Sequence, residues 1–112
     1  MACQVTSIAV NTETTIITAG TAGVNNALVG LVITATGTFA VGTVTIKDST
    51  GGTTRMVFDY PSSSAAPSAP FIMFLPFDRW LYQAAPANNW TATCSAGSGT
   101  QTYHINAFYL EI

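Results

Sequence analysis

The sequence predicts an all-β fold: a single-domain β-sandwich, jelly-roll-like, of about eight strands. Three observations predict it. β-Branched and aromatic residues dominate the apolar set, and no segment repeats its apolar residues at helical spacing. Short apolar or alternating runs recur at roughly 8–12-residue intervals between glycine-, serine- and asparagine-rich punctuation. The chain has 112 residues, enough for one compact domain and too few for two.

Candidate strands run Gln4–Val10, Thr14–Thr18, Ala27–Ala35, Thr43–Asp48, Thr53–Asp59, Phe71–Leu75, Trp90–Ala96 and Thr102–Glu111. Residues 1–13 form an N-terminal extension or edge strand, and residues 14–112 the sandwich domain. The run Thr43-Val44-Thr45-Ile46-Lys47 alternates, so Val44 and Ile46 point into a core and their neighbours outward. The last run alternates too, with Tyr103, Ile105, Ala107 and Tyr109 on one face. His104, Asn106, Phe108 and Leu110 take the other, so its second half is apolar on both sides. Such a strand fits between its own core and another surface. Gly20 and Gly23 separate the second strand from the third. Asp48-Ser49-Thr50-Gly51-Gly52 is a hairpin signal with glycines available for positive φ, and Ala96-Gly97-Ser98-Gly99 reads as a second such turn. The low-complexity stretch from Pro61 to Pro70 reads as a surface loop or extended crossover.

Composition narrows the function. Charged residues make up 7% of the chain, where about 25% is usual for a soluble domain. Lys47, Arg55 and Arg79 cannot form the basic stripe that a duplex-nucleic-acid partner requires. The longest weakly polar stretch, Ala27 to Ala35, is less than half of the ~20 residues a spanning helix needs, so no membrane partner is expected. No basic segment precedes an apolar core at the N-terminus, so no secretory signal is read there. A surface so short of Lys, Glu and Asp resembles an obligate interface more than a solvated skin. The expectation is a surface permanently covered by other subunits.

Catalytic and metal chemistry find little support. Cys3 and Cys94 are the two cysteines; a disulfide would tie the first strand to the seventh, but with no export signal two free, buried thiols are expected. Cys94 and His104 pair as nucleophile and base only if their strands are hairpin neighbours, and no local signature marks an orienting group or an oxyanion hole. Zinc would draw on Cys3, Cys94, His104 and a carboxylate, yet no CxxC or HxxxH spacing is present. Asp48 reads as a turn residue bonding nearby backbone, and Asp78 with Arg79 as a local pair. Asn89-Trp90-Thr91 fits the N-glycosylation pattern and is read as coincidence. No catalytic, cofactor or metal residues are assigned.

One stretch stands apart: Phe71-Ile72-Met73-Phe74-Leu75-Pro76-Phe77-Asp78-Arg79-Trp80-Leu81-Tyr82. One strand face here fills the core, which is the place expected for Ile72 and Phe74. Phe71, Met73 and Leu75 on the other face then need a partner. Burying each is worth roughly 1.5–3 kcal/mol, a large association driver. Phe71, Met73, Leu75, Phe77 and Trp80 are the interface candidates. In the ligand version of the same observation, Trp80, Tyr82 and Trp90 form an aromatic platform for glycans.

The sequence of segments is an apolar strand with glycine punctuation (AGTAGVNNALVGLVITATG), a strand and hairpin (VGTVTIKDSTGGTT), an apolar segment with an aromatic turn (APFIMFLPFDRWLY), and two closing strands (NWTATCSAGSGTQTYHINAFYLEI). Over residues 14–112 this pattern resembles the small one-domain β-sandwich structural proteins of tailed bacteriophages, particularly capsid decoration or cement proteins. The resemblance implies a non-enzymatic virion protein on the outer surface of the capsid. It also implies a homotrimer, bound to the major capsid protein and stabilising the head. The alternative is a head-fibre or tail-fibre domain recognising a receptor or glycan.

Overall fold

The computed structural model describes residues 1–63 and 70–112, so part of the low-complexity stretch lies outside the described residues. Among the described residues eight strands form: β1 (Ala2–Ala9), β2 (Thr14–Ile17), β3 (Asn26–Thr36), β4 (Gly42–Asp48), β5 (Thr53–Asp59), β6 (Phe71–Phe74), β7 (Trp90–Ala96) and β8 (Thr102–Glu111). A 3-10 turn at Phe77–Arg79 follows β6. Among the described residues no helix is long and apolar enough to cross a membrane.

The strands make two four-stranded antiparallel sheets. Sheet A has the order β1-β8-β3-β6, and sheet B the order β2-β7-β4-β5. First pairs with last, second with seventh, third with sixth and fourth with fifth. This is a long hairpin rolled about itself, the arrangement of an eight-stranded jelly roll. The N-terminal segment is therefore an edge strand of the sandwich and not an appendage: Ile8 sits in the core.

Alternation decides the core. Val44 and Ile46 from β4 meet Leu31 and Ile33 from β3 and Ile105 and Ala107 from β8, all fully buried. Trp90 is fully enclosed at the start of β7, and its indole N–H donates to the Asn26 carbonyl at 2.6 Å. At one side of the sandwich Phe58 of β5 stacks on Phe71 of β6, ring centroids 4.3 Å apart and planes 8° apart, which joins the two sheets. At an end of β8, the buried Gln101 side chain bonds both polar groups of the Ala40 backbone and the Tyr103 hydroxyl.

Two turns behave differently from one another. Asp48 to Gly52 closes the β4–β5 hairpin, with Ser49 at φ 72° and Gly51 at φ 66°. Gly97-Ser98-Gly99 is no hairpin: it carries the chain from β7 in sheet B to β8 in sheet A. The roll demands this, because β8 is already flanked by β1 and β3.

Polar groups tie the ends together. Asp48 is buried, not a free turn residue. Its Oδ2 accepts from the Ala84 amide at 2.7 Å and lies 3.3 Å from the Arg55 guanidinium. The same guanidinium donates to the Tyr82 carbonyl at 2.7 Å. Among the described residues this is the ion pair; Asp78 and Arg79 are both exposed and form none with each other. Glu13 clasps sheet B, accepting from the Thr91 hydroxyl at 2.6 Å and the Gly51 amide at 3.0 Å. Those bonds, the Thr91 one foremost, hold its carboxyl below the ordinary value of 4.5.

A carboxyl lowered in the folded state stabilises the fold above its unfolded value, and that contribution disappears as pH falls through the native value. Between about pH 6 and pH 2.5 the melting temperature of the wild type should fall more steeply than that of Glu13→Gln, as calorimetry at several pH values would show.

Candidate interaction surface

The outer face of sheet A follows from its registers. Ile72 and Phe74 of β6 stand opposite Val32 and Gly30 of β3. Those in turn face Asn106 and Phe108 of β8, which face Val5 and Cys3 of β1. Apolar side chains thus stand on all four strands of this face, with Asn106 between Val32 and Val5. Ile72 is 61% exposed, Phe74 52% and Val5 67%. Among the described residues no Asp, Glu, Lys or Arg points outward from these four strands. The exceptions to its inert character are the exposed Cys3 and the half-buried His104, the latter with Nδ1 3.2 Å from the Ser7 hydroxyl.

Gly30 shapes the centre. A Cβ there would fall 2.4 Å from the Phe74 ring and 2.7 Å from the Met73 carbonyl oxygen. Its absence leaves room for the Phe74 ring beside Gly30, where it reaches Phe108, ring centroids 5.2 Å apart. Beyond β6, Phe77 of the 3-10 turn packs edge-on against Trp80 at 4.9 Å, and Phe77 is 75% exposed. The Trp80 indole N–H donates to the Leu75 carbonyl at 3.1 Å, which fixes the turn.

The outer face of sheet B is a different chemistry. Thr43, Thr45 and Lys47 of β4 stand opposite Ser95, Thr93 and Thr91 of β7, with Asp59 of β5 across from Thr43. Hydroxyls and charges gather on this side.

The interface candidates divide accordingly. Phe77 is exposed, and Leu75 and Trp80 are half-buried beside it. Phe71 and Met73 point the other way, against the core, and it is Ile72 and Phe74 that face out. The register with β3 reverses the expected parity. Val5, Val32 and Phe108 belong to the same surface and were not singled out by sequence; the apolar outward half of the last strand was the one signal for them. Of the proposed glycan platform, Tyr82 is exposed and Trp80 half-buried, but Trp90 is enclosed in the core and cannot join them.

The thiols are free, and they differ. Cys94 is buried as expected, while Cys3 is exposed, because odd-numbered residues of β1 face outward. Burial pushes the Cys94 thiol up to about 12. Cys94 lies inside sheet B and His104 outside sheet A, so the nucleophile–base pair does not form. Among the described residues no three His, Cys, Asp or Glu side chains group as a metal site, and the Cys3, Cys94 and His104 set is dispersed. Comparison of the chain with protein-family models, curated proteins and solved structures gave no match.

Two outcomes follow from these placements. At about pH 8 a thiol reagent should label Cys3 and spare Cys94 until the protein is unfolded, as mass spectrometry of labelled peptides would read. Gly30→Ala should destabilise the fold by about 1–3 kcal/mol in urea titration, because one of the atoms it meets is backbone and cannot swing aside.

Proposed function

We propose that the protein is a non-enzymatic structural subunit of a virion. It self-associates and lays the outer face of sheet A on a larger protein lattice, as a capsid decoration protein does. The single observation that carries the reading is the exposed apolar patch of Val5, Ile72 and Phe74 with Val32 and Phe108 on sheet A, broken by Asn106 and free of Asp, Glu, Lys and Arg. An apolar area of this kind on a domain this small marks an association surface. Its lack of charge suits an interface core, where Lys, Glu and Asp are scarce.

Further support comes from the architecture and the composition. The eight-stranded jelly roll recurs in shell-forming and in sugar-binding domains, so fold alone divides the two readings evenly. The enclosure of Trp90 weighs against the sugar-binding one, since the proposed platform loses a ring. Many weak contacts repeated over a lattice gain avidity without any strong single contact. Clamping neighbouring capsomers in this way would resist rupture of a filled head.

The test is co-sedimentation of the purified chain with phage heads that lack it. The wild type should pellet with the heads at saturable stoichiometry. Ile72→Lys with Phe74→Lys, on side chains already exposed, should stay folded and remain in the supernatant. A wild type that never pellets overturns the reading, as does a double variant that pellets equally well.

A further inference from the structure

We infer that the self-association is two-fold, through antiparallel pairing of β1 with β1 of a second copy, centred on Val5. The pairing would join two sheets A into one of eight strands. It deepens the reading above by giving the self-association a site and a symmetry, and it replaces the three-fold arrangement that the phage resemblance implies.

The argument begins with the four sheet edges. β2 and β6 have four residues each, and β2 pairs with a register shift. β5 carries Arg55 and Asp59 and also meets a register shift. β1 alone is long and regular: eight residues, paired to β8 in unbroken register, and joined to no other strand among the described residues. It has no Lys, no Pro, no charge and no bulge, the features by which proteins normally block an exposed edge. A ring of copies would need a second free edge of matching length at the far side of sheet A, and β6 is half as long. Self-pairing about a two-fold axis needs only β1.

Side-chain parity limits the register. Cys3, Val5, Ser7 and Ala9 face outward, while Gln4, Thr6 and Ile8 face inward. Antiparallel strands oppose residues of the same face, so the axis must pass through a residue and not between two. Centring on Val5 sets Val5 against Val5, Cys3 against Ser7, and Gln4 against Thr6. Among the residue-centred registers this one sets Val5, 67% exposed in the single chain, against its own copy, where the two β-branched side chains cover each other, and no like charges meet.

The experiment uses the full chain. Sedimentation equilibrium should give twice 11.7 kDa, and hydrogen exchange should show β1 amides protected at consecutive positions, where a free edge leaves alternate ones open. In a Cys3→Ser background, Val5→Cys should cross-link to itself on mild oxidation, since facing Cα atoms about 4.5–5.5 Å apart suit a disulfide. Ser7→Cys in that background should not cross-link to itself, but should do so with wild-type Cys3 when the two proteins are mixed. A monomer with alternate β1 amides open, or a dimer without the position-5 cross-link, overturns the pairing. The Ile72→Lys, Phe74→Lys protein separates the two readings. If it still forms the cross-linked dimer while neither it nor the wild type binds heads, the lattice reading alone fails. If a wild-type monomer binds heads, the pairing alone fails.

Discussion

A two-layer sandwich gives each strand one inside face, and every feature of this molecule's surface depends on that constraint. The core holds a single layer of side chains between the sheets, filled by Leu31, Ile33, Val44, Ile46, Trp90 and Ile105. Apolar residues of opposite parity on the same strands have no place in that layer. Val32 beside Leu31 and Ile33, and Phe108 beside Ala107, are consequently turned out. The apolar outer patch on sheet A is what remains when two-sided strands are built into a fold with one interior.

The few charged groups sit elsewhere. Asp48 and Arg55 are spent on holding the segment around Tyr82 and Ala84 to sheet B, and Glu13 on clasping Thr91 and the β4–β5 turn. With Asp48 buried and Arg55 partly exposed, their ion pair is weak evidence of net stability, since desolvation of the carboxylate offsets much of the attraction. Its consequence is positional: it seats a strandless segment against the sandwich. With those groups committed to sheet B and its loops, the outer side of sheet A is left with hydroxyl, amide and hydrocarbon chemistry, the Cys3 thiol and the His104 imidazole.

Edge and face of sheet A are separate resources. The face is broad and apolar, and its aromatic centre depends on Gly30 making room for Phe74. The edge is a line of backbone donors and acceptors along β1, with side-chain parity limiting the registers open to it. A subunit that pairs by its edge keeps its face free, and doubles the area that the face presents.

Much of the fold was legible in the residues. The bounds of β5, β7 and β8, the inward aim of Val44 and Ile46, and the two-sided character of β8 all follow from period-two alternation, which neighbouring residues carry. Less of the surface was legible. Phe71-Ile72-Met73-Phe74 is apolar at every position, so alternation is silent, and the pairing of Phe74 with Gly30 chose the outward face. Trp90 begins a strand with polar neighbours, and only the Asn26 carbonyl, brought close by the roll, shows why it is inside. Gly97-Ser98-Gly99 suits a hairpin or a crossing equally, and the occupied flanks of β8 made it a crossing. Sequence by itself determined which segments are strands, because that is local. Which partners those strands take, and so which apolar residues are left outside, was decided by contacts between residues far apart in the chain.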